Sequence, residues 1–167
     1  MKKLFITLAI VFAGIMSANA QVWIGGGLGA KIEKNYKEFN VAPEIGYAIN
    51  NHWQVALGAV FYHEYDKTLS LTGPTNTLSL EPYVRYVAAT IGNKFSLFFD
   101  LTGNFGLIDA SGWAVSLRPG IAWMATEHWT AAFRFGFAGY DHGFYGGNGF
   151  YLNCELASPR IGLYYNF

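Results

Sequence analysis

The stretch "PEIGYAINNHWQVAL", Pro43 to Leu57, is answered 76 residues later by "PGIAWMATEHWTAAF", Pro119 to Phe133. Each places a β-branched residue two positions after the proline and an aromatic two positions beyond that. Each then reaches a His-Trp pair, His52-Trp53 and His128-Trp129. The same opening recurs at Pro82-Val84-Tyr86, and a weaker form at Pro159-Ile161-Leu163, with 39, 37 and 40 residues between successive prolines. A fixed period of this kind marks one supersecondary unit used repeatedly. The residues inside the unit say which.

From Phe39 the odd positions read Phe39, Val41, Pro43, Ile45, Tyr47, Ile49, and the even ones Asn40, Ala42, Glu44, Gly46, Ala48. The runs that start at Trp53, Phe95 and Trp113 alternate in the same way. A period of two over such lengths predicts long strands, so the unit is a pair of strands and four units make eight. The connections around Asn51, Asn93 and Glu127 are short. Those over 64–77 and 140–149 are long, and those near Asn35 and Asp109 are intermediate, on the side of the long ones. Short turns at one end and longer loops at the other predict an all-β, eight-stranded antiparallel up-and-down transmembrane barrel with both termini in the periplasm.

The start of the chain fits export. Met1-Lys2-Lys3 is basic, Leu4 to Met16 is apolar, and Ala18-Asn19-Ala20 has the A-x-A spacing, which predicts a signal peptide over 1–20 and a barrel domain over 21–167. Aromatic residues make up 18% of the sequence and charged ones 13%, about half the usual charged share. Beyond residue 20 no apolar run reaches the length of a membrane helix. With Lys2 and Lys3 removed, nine basic residues face eleven acidic ones, which leaves no nucleic-acid footprint. Cys154 is the sole cysteine, so no disulfide framework supports the fold.

Alternation does not say which face lies inside; the sorting of the charges does. Arg85, Arg118, Arg134 and Arg160 all fall within strands on the polar face, whereas Lys31, Lys34, Lys37, Lys67 and Lys94 fall at strand ends or in connections. Guanidinium suits buried ion pairs and ammonium prefers water. Glu44, Glu81 and Asp100 share the polar face, and Glu155 joins them if a bulge near Ala157 resets the alternation. The expected interior therefore carries Glu44, Glu81, Arg85, Asp100, Arg118, Arg134, Glu155 and Arg160, amid small residues that suit a narrow lumen. Tyr47, Trp53, Tyr86, Phe95, Trp123 and Trp129 flank the short turns and predict an aromatic girdle at the periplasmic interface. Trp113 opens a strand at the opposite rim. Each proline lacks a ladder donor, so irregular pairing is expected beside it.

With "QVWIGGGLGAKI", "APEIGYAINNHWQVALGA", "LRPGIAWMATEHWTAAFRFG" and the ending "IGLYYNF", the chain resembles small eight-stranded outer-membrane barrels of the OmpA-barrel and OmpX-like kind, particularly those common in the Bacteroidetes. The resemblance implies residence in the Gram-negative outer membrane, in contact with its lipid. It also implies a C-terminal assembly signal at Leu163, Tyr165 and Phe167, recognised by the barrel-assembly machinery. The activity it implies is open, because such barrels include adhesive, structural, transport-related and enzymatic members.

Catalytic motifs are weak. "GGGLGA", Gly25 to Ala30, fits G-x-G-x-x-A formally but lacks the helix and βαβ unit a dinucleotide needs. His52 and His128 sit in matched turns, which favours a turn-and-interface role. At the outer rim, His63, Glu64 and Asp66 face Asp141 and His142 as a potential cation, ligand or hydrolytic group, with Ser70 or Ser111 as the nucleophile an enzyme would need. The His-x-Ser arrangement of lipid A deacylase barrels is absent. The expectation is a non-enzymatic barrel without cofactor or metal, with a plugged interior, displaying surface loops to an unknown extracellular ligand for structural, binding or adhesion roles. The alternatives are a lipid A-modifying barrel enzyme and a narrow transport conduit.

Overall fold

The computed structural model describes residues 22–32, 36–66, 75–109, 111–144, 147–153 and 160–167. The leader expected at 1–20, together with Lys34, Lys67, Ser70, Glu155, Ala157 and Pro159, lies outside them, as do the side chains of Lys31 and Asp66. Ten strand segments follow in order: β1 (Val22–Ile32), β2 (Tyr36–Ala48), β3 (Trp53–Asp66), β4 (Thr75–Ile91), β5 (Phe95–Ile108), β6 (Trp113–Met124), β7 (Trp129–Arg134), β8 (Phe137–His142), β9 (Asn148–Asn153) and β10 (Arg160–Asn166). All pair antiparallel in one sheet, which closes where β5 meets β6 and where β1 meets β10. Both β7 and β8 pair with β6, and β10 and β9 pair with them in turn, so β7/β8 form the seventh barrel strand, interrupted at 135–136, and β9/β10 are the described parts of the eighth. The fold is a closed eight-stranded barrel, which removes the open sheet edges that would otherwise recruit other strands.

The prolines account for three irregularities, and the β4–β5 ladder shifts register at two further places, Leu78/Ser79 and Val87/Ala89. Pro43, Pro82 and Pro119 all point outward, and each skips its pairing on the side toward the next strand. Between β2 and β3 the ladder jumps from Val41↔Phe61 to Glu44↔Gly58, and between β4 and β5 from Leu80↔Phe105 to Tyr83↔Thr102. In both places the register is unchanged. Beside Pro119 it is not: Gly120 pairs with Arg134 but Leu117 with Ala138, so one extra residue is accommodated on the β7/β8 strand. This is a β-bulge, with Gly136 at φ +57° and the Phe135 amide donating to the Pro119 carbonyl (3.1 Å). Its consequence is a change of parity. Thr130, Ala132 and Arg134 share the inward face below the bulge, and Phe137, Gly139 and Asp141 share it above.

Loop lengths correct one expectation. The connections at 109–112 and 143–147 are nearly as short as those at the opposite end, 49–52, 92–94 and 125–128. Parts of the expected long loops are strand, since β3 runs on to Asp66, β4 begins at Thr75 and β8 reaches His142, while 67–74 lies outside the described residues. Strand extension at this end therefore adds to the asymmetry between the two ends.

Two layers of side chain follow from the pleat. Outward positions such as Leu57, Leu101, Leu117, Ile121 and Leu163 form an apolar exterior, with Leu117 46% exposed at mid-strand. Inward positions are mostly polar or small, with a few large rings such as Trp23 and Phe98 among them, and Ser79, Asp100, Thr102, Asn104, Ser116 and Arg134 are all buried. The usual arrangement of a water-soluble protein is inverted. A charged core inside a greasy wall suits a hydrocarbon solvent.

Candidate functional site

The repeated phrase places the site. Each proline has an inward charged residue beside it, Glu44 after Pro43, Glu81 before Pro82 and Arg118 before Pro119, so Glu44, Glu81 with Arg85, and Arg118 project into the lumen from β2, β4 and β6. Arg134 enters from β7, Asp100 from β5 and Arg160 from β10. In the register Asp100 lies opposite Arg85 on one side and Arg118 on the other.

Two ion clusters fill the cross-section. In the first, Arg85 grips Asp100 in bidentate fashion, Nε to Oδ1 at 2.7 Å and a terminal nitrogen to Oδ2 at 2.8 Å. Arg134 donates through Nε to the same Oδ2 (2.8 Å) and through both terminal nitrogens to Glu44 (3.0 Å each). Arg134 also donates to the hydroxyls of Tyr83 (2.8 Å) and Tyr164 (2.9 Å), and both hydroxyls donate to Glu44 Oε2. One guanidinium thus ties the seventh strand to the second, fourth, fifth and eighth. In the second cluster, Glu81 accepts from Arg160, four barrel strands away across the lumen, and from Arg118 (3.5 Å). Arg160 reaches on toward the Tyr62 hydroxyl (3.4 Å), and Arg118 toward Ser116 Oγ (3.3 Å).

Charge-assisted and bidentate bonds of this sort are the strong ones, and they leave few lone pairs bare. Aromatic rings complete the seal. The Arg85 guanidinium lies 3.8 Å from the Phe98 ring centroid, and Trp23 meets Tyr164 edge-on at 4.9 Å. Where rings press inward, glycine faces them. A Cβ on Gly46 would fall 2.0 Å from Trp23 Cζ2, and one on Gly120 would fall 2.2 Å from Phe98 Cζ. Gly25, Gly27 and Gly29 of the "GGGLGA" stretch likewise sit under Tyr164, Arg160 and Asn40. Below this plug, toward the short turns, a half-open vestibule of about 710 Å³ ends on Arg85, Phe98, Trp23 and Tyr164.

Of the eight expected interior charges, seven lie within the described residues, and all seven meet in these two clusters. Glu155 lies outside. The inward set does change from odd positions such as Tyr151 to even ones such as Arg160, consistent with a parity reset between them. Sequence reasoning missed Tyr62, Tyr83 and Tyr164 as members. Their signal was parity, since Tyr83 lies between Glu81 and Arg85 and Tyr164 is four residues beyond Arg160.

The outer-rim group is not assembled. His63 lies opposite Phe39 on the outward face and its Nδ1 donates to Asn76 Oδ1 (2.8 Å). Asp141 is inward and buried, accepting from the backbone amides of Phe144 (2.9 Å) and Gly147 (3.1 Å), so it caps its own connection. His142 packs against Trp113, ring centroids 5.6 Å apart. Strands three and seven are diametrically opposed in an eight-strand ring, which explains the separation. Ser111 is exposed in the β5–β6 turn on the His142 side, where its neighbour Gly112 packs against the His142 carbonyl.

The girdle residues are where the sequence puts them, outward at the short-turn end. Trp53 packs on Tyr86 (4.8 Å) and Trp129 on Tyr165 (5.2 Å), while Phe95 lies opposite Trp123. Leu163 and Tyr165 face outward from β10, and the Phe167 ring lies against Tyr165 (5.1 Å).

A closed barrel with a charged lumen and an apolar wall is a transmembrane β-barrel in architecture. The chain matches no protein-family model, and no curated protein matches it. Among solved structures it is similar to a chain described under "De novo design of transmembrane beta-barrels", with a TM-score of 0.50 and 9% identity, covering 88% of this chain and 95% of that one. It is also similar to the Yersinia pestis outer membrane protein Ail, described in a phospholipid bilayer nanodisc, with a TM-score of 0.48 and 14% identity over 89% and 98% of the two chains. At such identities the first likeness is one of fold alone.

Proposed function

We propose that this chain is an integral outer-membrane protein of the OmpX-like kind, without catalytic activity, that presents its extended hairpins at the cell surface for structural or binding and adhesion roles. The observation that carries the reading is the Arg160–Glu81 pair reaching across the whole lumen beside the Arg134 cluster. It supports a plugged barrel, because each bound charge would have to be broken from its partner before solute could pass. The candidate signal peptide supports export, and the outward apolar band supports a lipid surround. The aromatic girdle beside both chain ends supports termini on the periplasmic side, with the hairpins β3–β4 and β8–β9 outside. Leu163, Tyr165 and Phe167 support recognition of the last strand by the barrel-assembly machinery. The extracellular ligand is a target for capture with the β3–β4 connection as bait.

The test is protease shaving of intact cells expressing the chain with a tag at either place. A cleavage site inserted at Gly147 is expected to be cut from outside while a tag after Phe167 stays protected. Protection of the first or loss of the second would overturn the orientation, and recovery in the soluble periplasmic fraction would overturn the membrane assignment.

A further inference from the structure

The two His-Trp turns share more than sequence. Asn50 Oδ1 accepts from the amides of His52 and Trp53 (2.8 and 2.9 Å), and Thr126 Oγ1 accepts from those of His128 and Trp129 (3.3 and 3.0 Å). The carbonyl of each histidine accepts from the neighbouring strand, from Val87 and Asn166 respectively, both at 2.7 Å. Each imidazole Nδ1 donates to a backbone carbonyl of that same strand, His52 to Val87 and His128 to Asn166, both at 3.0 Å. Each ring then stacks on an outward tyrosine, Tyr86 (27° between planes) and Tyr165 (18°), which the neighbouring tryptophan also touches.

This geometry fixes the tautomer. A carbonyl acceptor requires the proton on Nδ1, so in the neutral ring Nε2 is left as a bare acceptor. Both imidazoles are exposed at the girdle, where a bilayer presents its headgroups. Beside His52 a groove of about 480 Å³ is lined by Asn50, Asn51, His52, Trp53 and Tyr86. An acceptor nitrogen among electron-rich ring faces suits a primary ammonium, which both donates hydrogen bonds and binds π faces. At the second turn the residue matching Asn51 is Glu127, whose carboxylate adds an attraction for the same charge. The third short turn carries Lys94 at the matching place before Phe95, which would repel it.

We propose that the His52-Trp53-Tyr86 and His128-Trp129-Tyr165 clusters are paired binding sites for the ammonium of ethanolamine-type phospholipid headgroups. The inference rests on the membrane reading and adds to it a lipid class and a stoichiometry of two.

The test reconstitutes the chain in nanodiscs of equal parts phosphatidylethanolamine, phosphatidylglycerol and phosphatidylcholine, then counts retained lipids by native mass spectrometry after release into detergent. Two retained phosphatidylethanolamines are expected, ahead of phosphatidylcholine, whose ammonium has no proton to donate. His52→Asn with His128→Asn keeps an amide where Nδ1 stood, and so the strand clamp, but removes Nε2. That double variant should lower phosphatidylethanolamine retention by roughly two- to fivefold. In the unmutated protein, the imidazole Nε2 nitrogen resonance should move when phosphatidylethanolamine replaces phosphatidylglycerol. Retention that mirrors the disc composition, a preference for phosphatidylglycerol, or a silent Nε2 resonance would overturn the proposal. Failure of the chain to enter the discs at all is a separate result, which overturns the membrane reading beneath it.

Discussion

Asp100 is fully buried and carries two guanidinium partners, Arg85 and Arg134, from different strands. Removing its carboxylate takes the bidentate partner from Arg85 and one of two carboxylates from Arg134, and breaking a buried pair typically costs about 3–5 kcal/mol. Asp100→Ala is therefore expected to lose at least that much in denaturant unfolding from lipid vesicles, whereas Lys94→Ala at the rim should leave the midpoint in place. Size matters as much as charge. Gly120→Ala would push a methyl into the Phe98 ring, and overpacking of this kind costs about 1–3 kcal/mol. The same change at Gly92, where nothing lies near a new Cβ, would be felt only through its positive φ of 59° in the turn. At this scale the sequence was readable wherever parity held. The Arg and Lys sorting marked the lumen correctly, because guanidinium and ammonium differ in how readily they leave water. What parity could not supply was reach: that Arg134 extends to Glu44 on the second strand depends on side-chain length and lumen width.

The strands carry a two-faced code, and each face answers a different solvent. Leu117→Arg places a charge on the outer wall at mid-strand and should cost about 2–4 kcal/mol if that wall meets the bilayer midplane. Ala56→Arg on the inner face should instead act through crowding, with a cost that stays constant when bilayer thickness is changed. Equal sensitivity of the two variants to lipid chain length would mean that the faces had been assigned wrongly. The period of two and the 37- to 40-residue repeat made eight strands legible before any coordinate. The form of the irregularity beside Pro119 was not. Proline at 119 announces a missing donor, but whether the sheet answers with a skipped pair, as at Pro43 and Pro82, or with an inserted residue depends on what lies opposite. Gly136 there accepts the left-handed backbone that the bulge uses. The connections near Asp109 and over 140–149 are shorter than the sequence suggested for a related reason. Hairpins continue past the expected strand ends, where polar residues such as Glu64 and Asp141 look like loop but remain in the ladder.

Taken whole, the barrel is held by a closed ladder around a core of ion pairs, and this predicts its behaviour as a solid body. Unboiled protein in detergent should run on gels as a compact form distinct from the heat-denatured chain, with a β-rich circular dichroism spectrum in both detergent and vesicles. The outer-rim residues gave a false lead at this scale, because strands three and seven lie on opposite arcs and the sequence alone does not bend the sheet into a ring. The central claim is that the lumen is shut by the Arg134–Asp100–Glu44 and Arg118–Glu81–Arg160 clusters, with eight strands leaving room for side chains and little else. Steady-state current through the purified, unmutated chain in a planar lipid bilayer tests it most directly. The account predicts a flat baseline broken at most by rare, small, brief events, even under a sustained voltage. Large, stable, ohmic openings would contradict it and would make the chain a conduit.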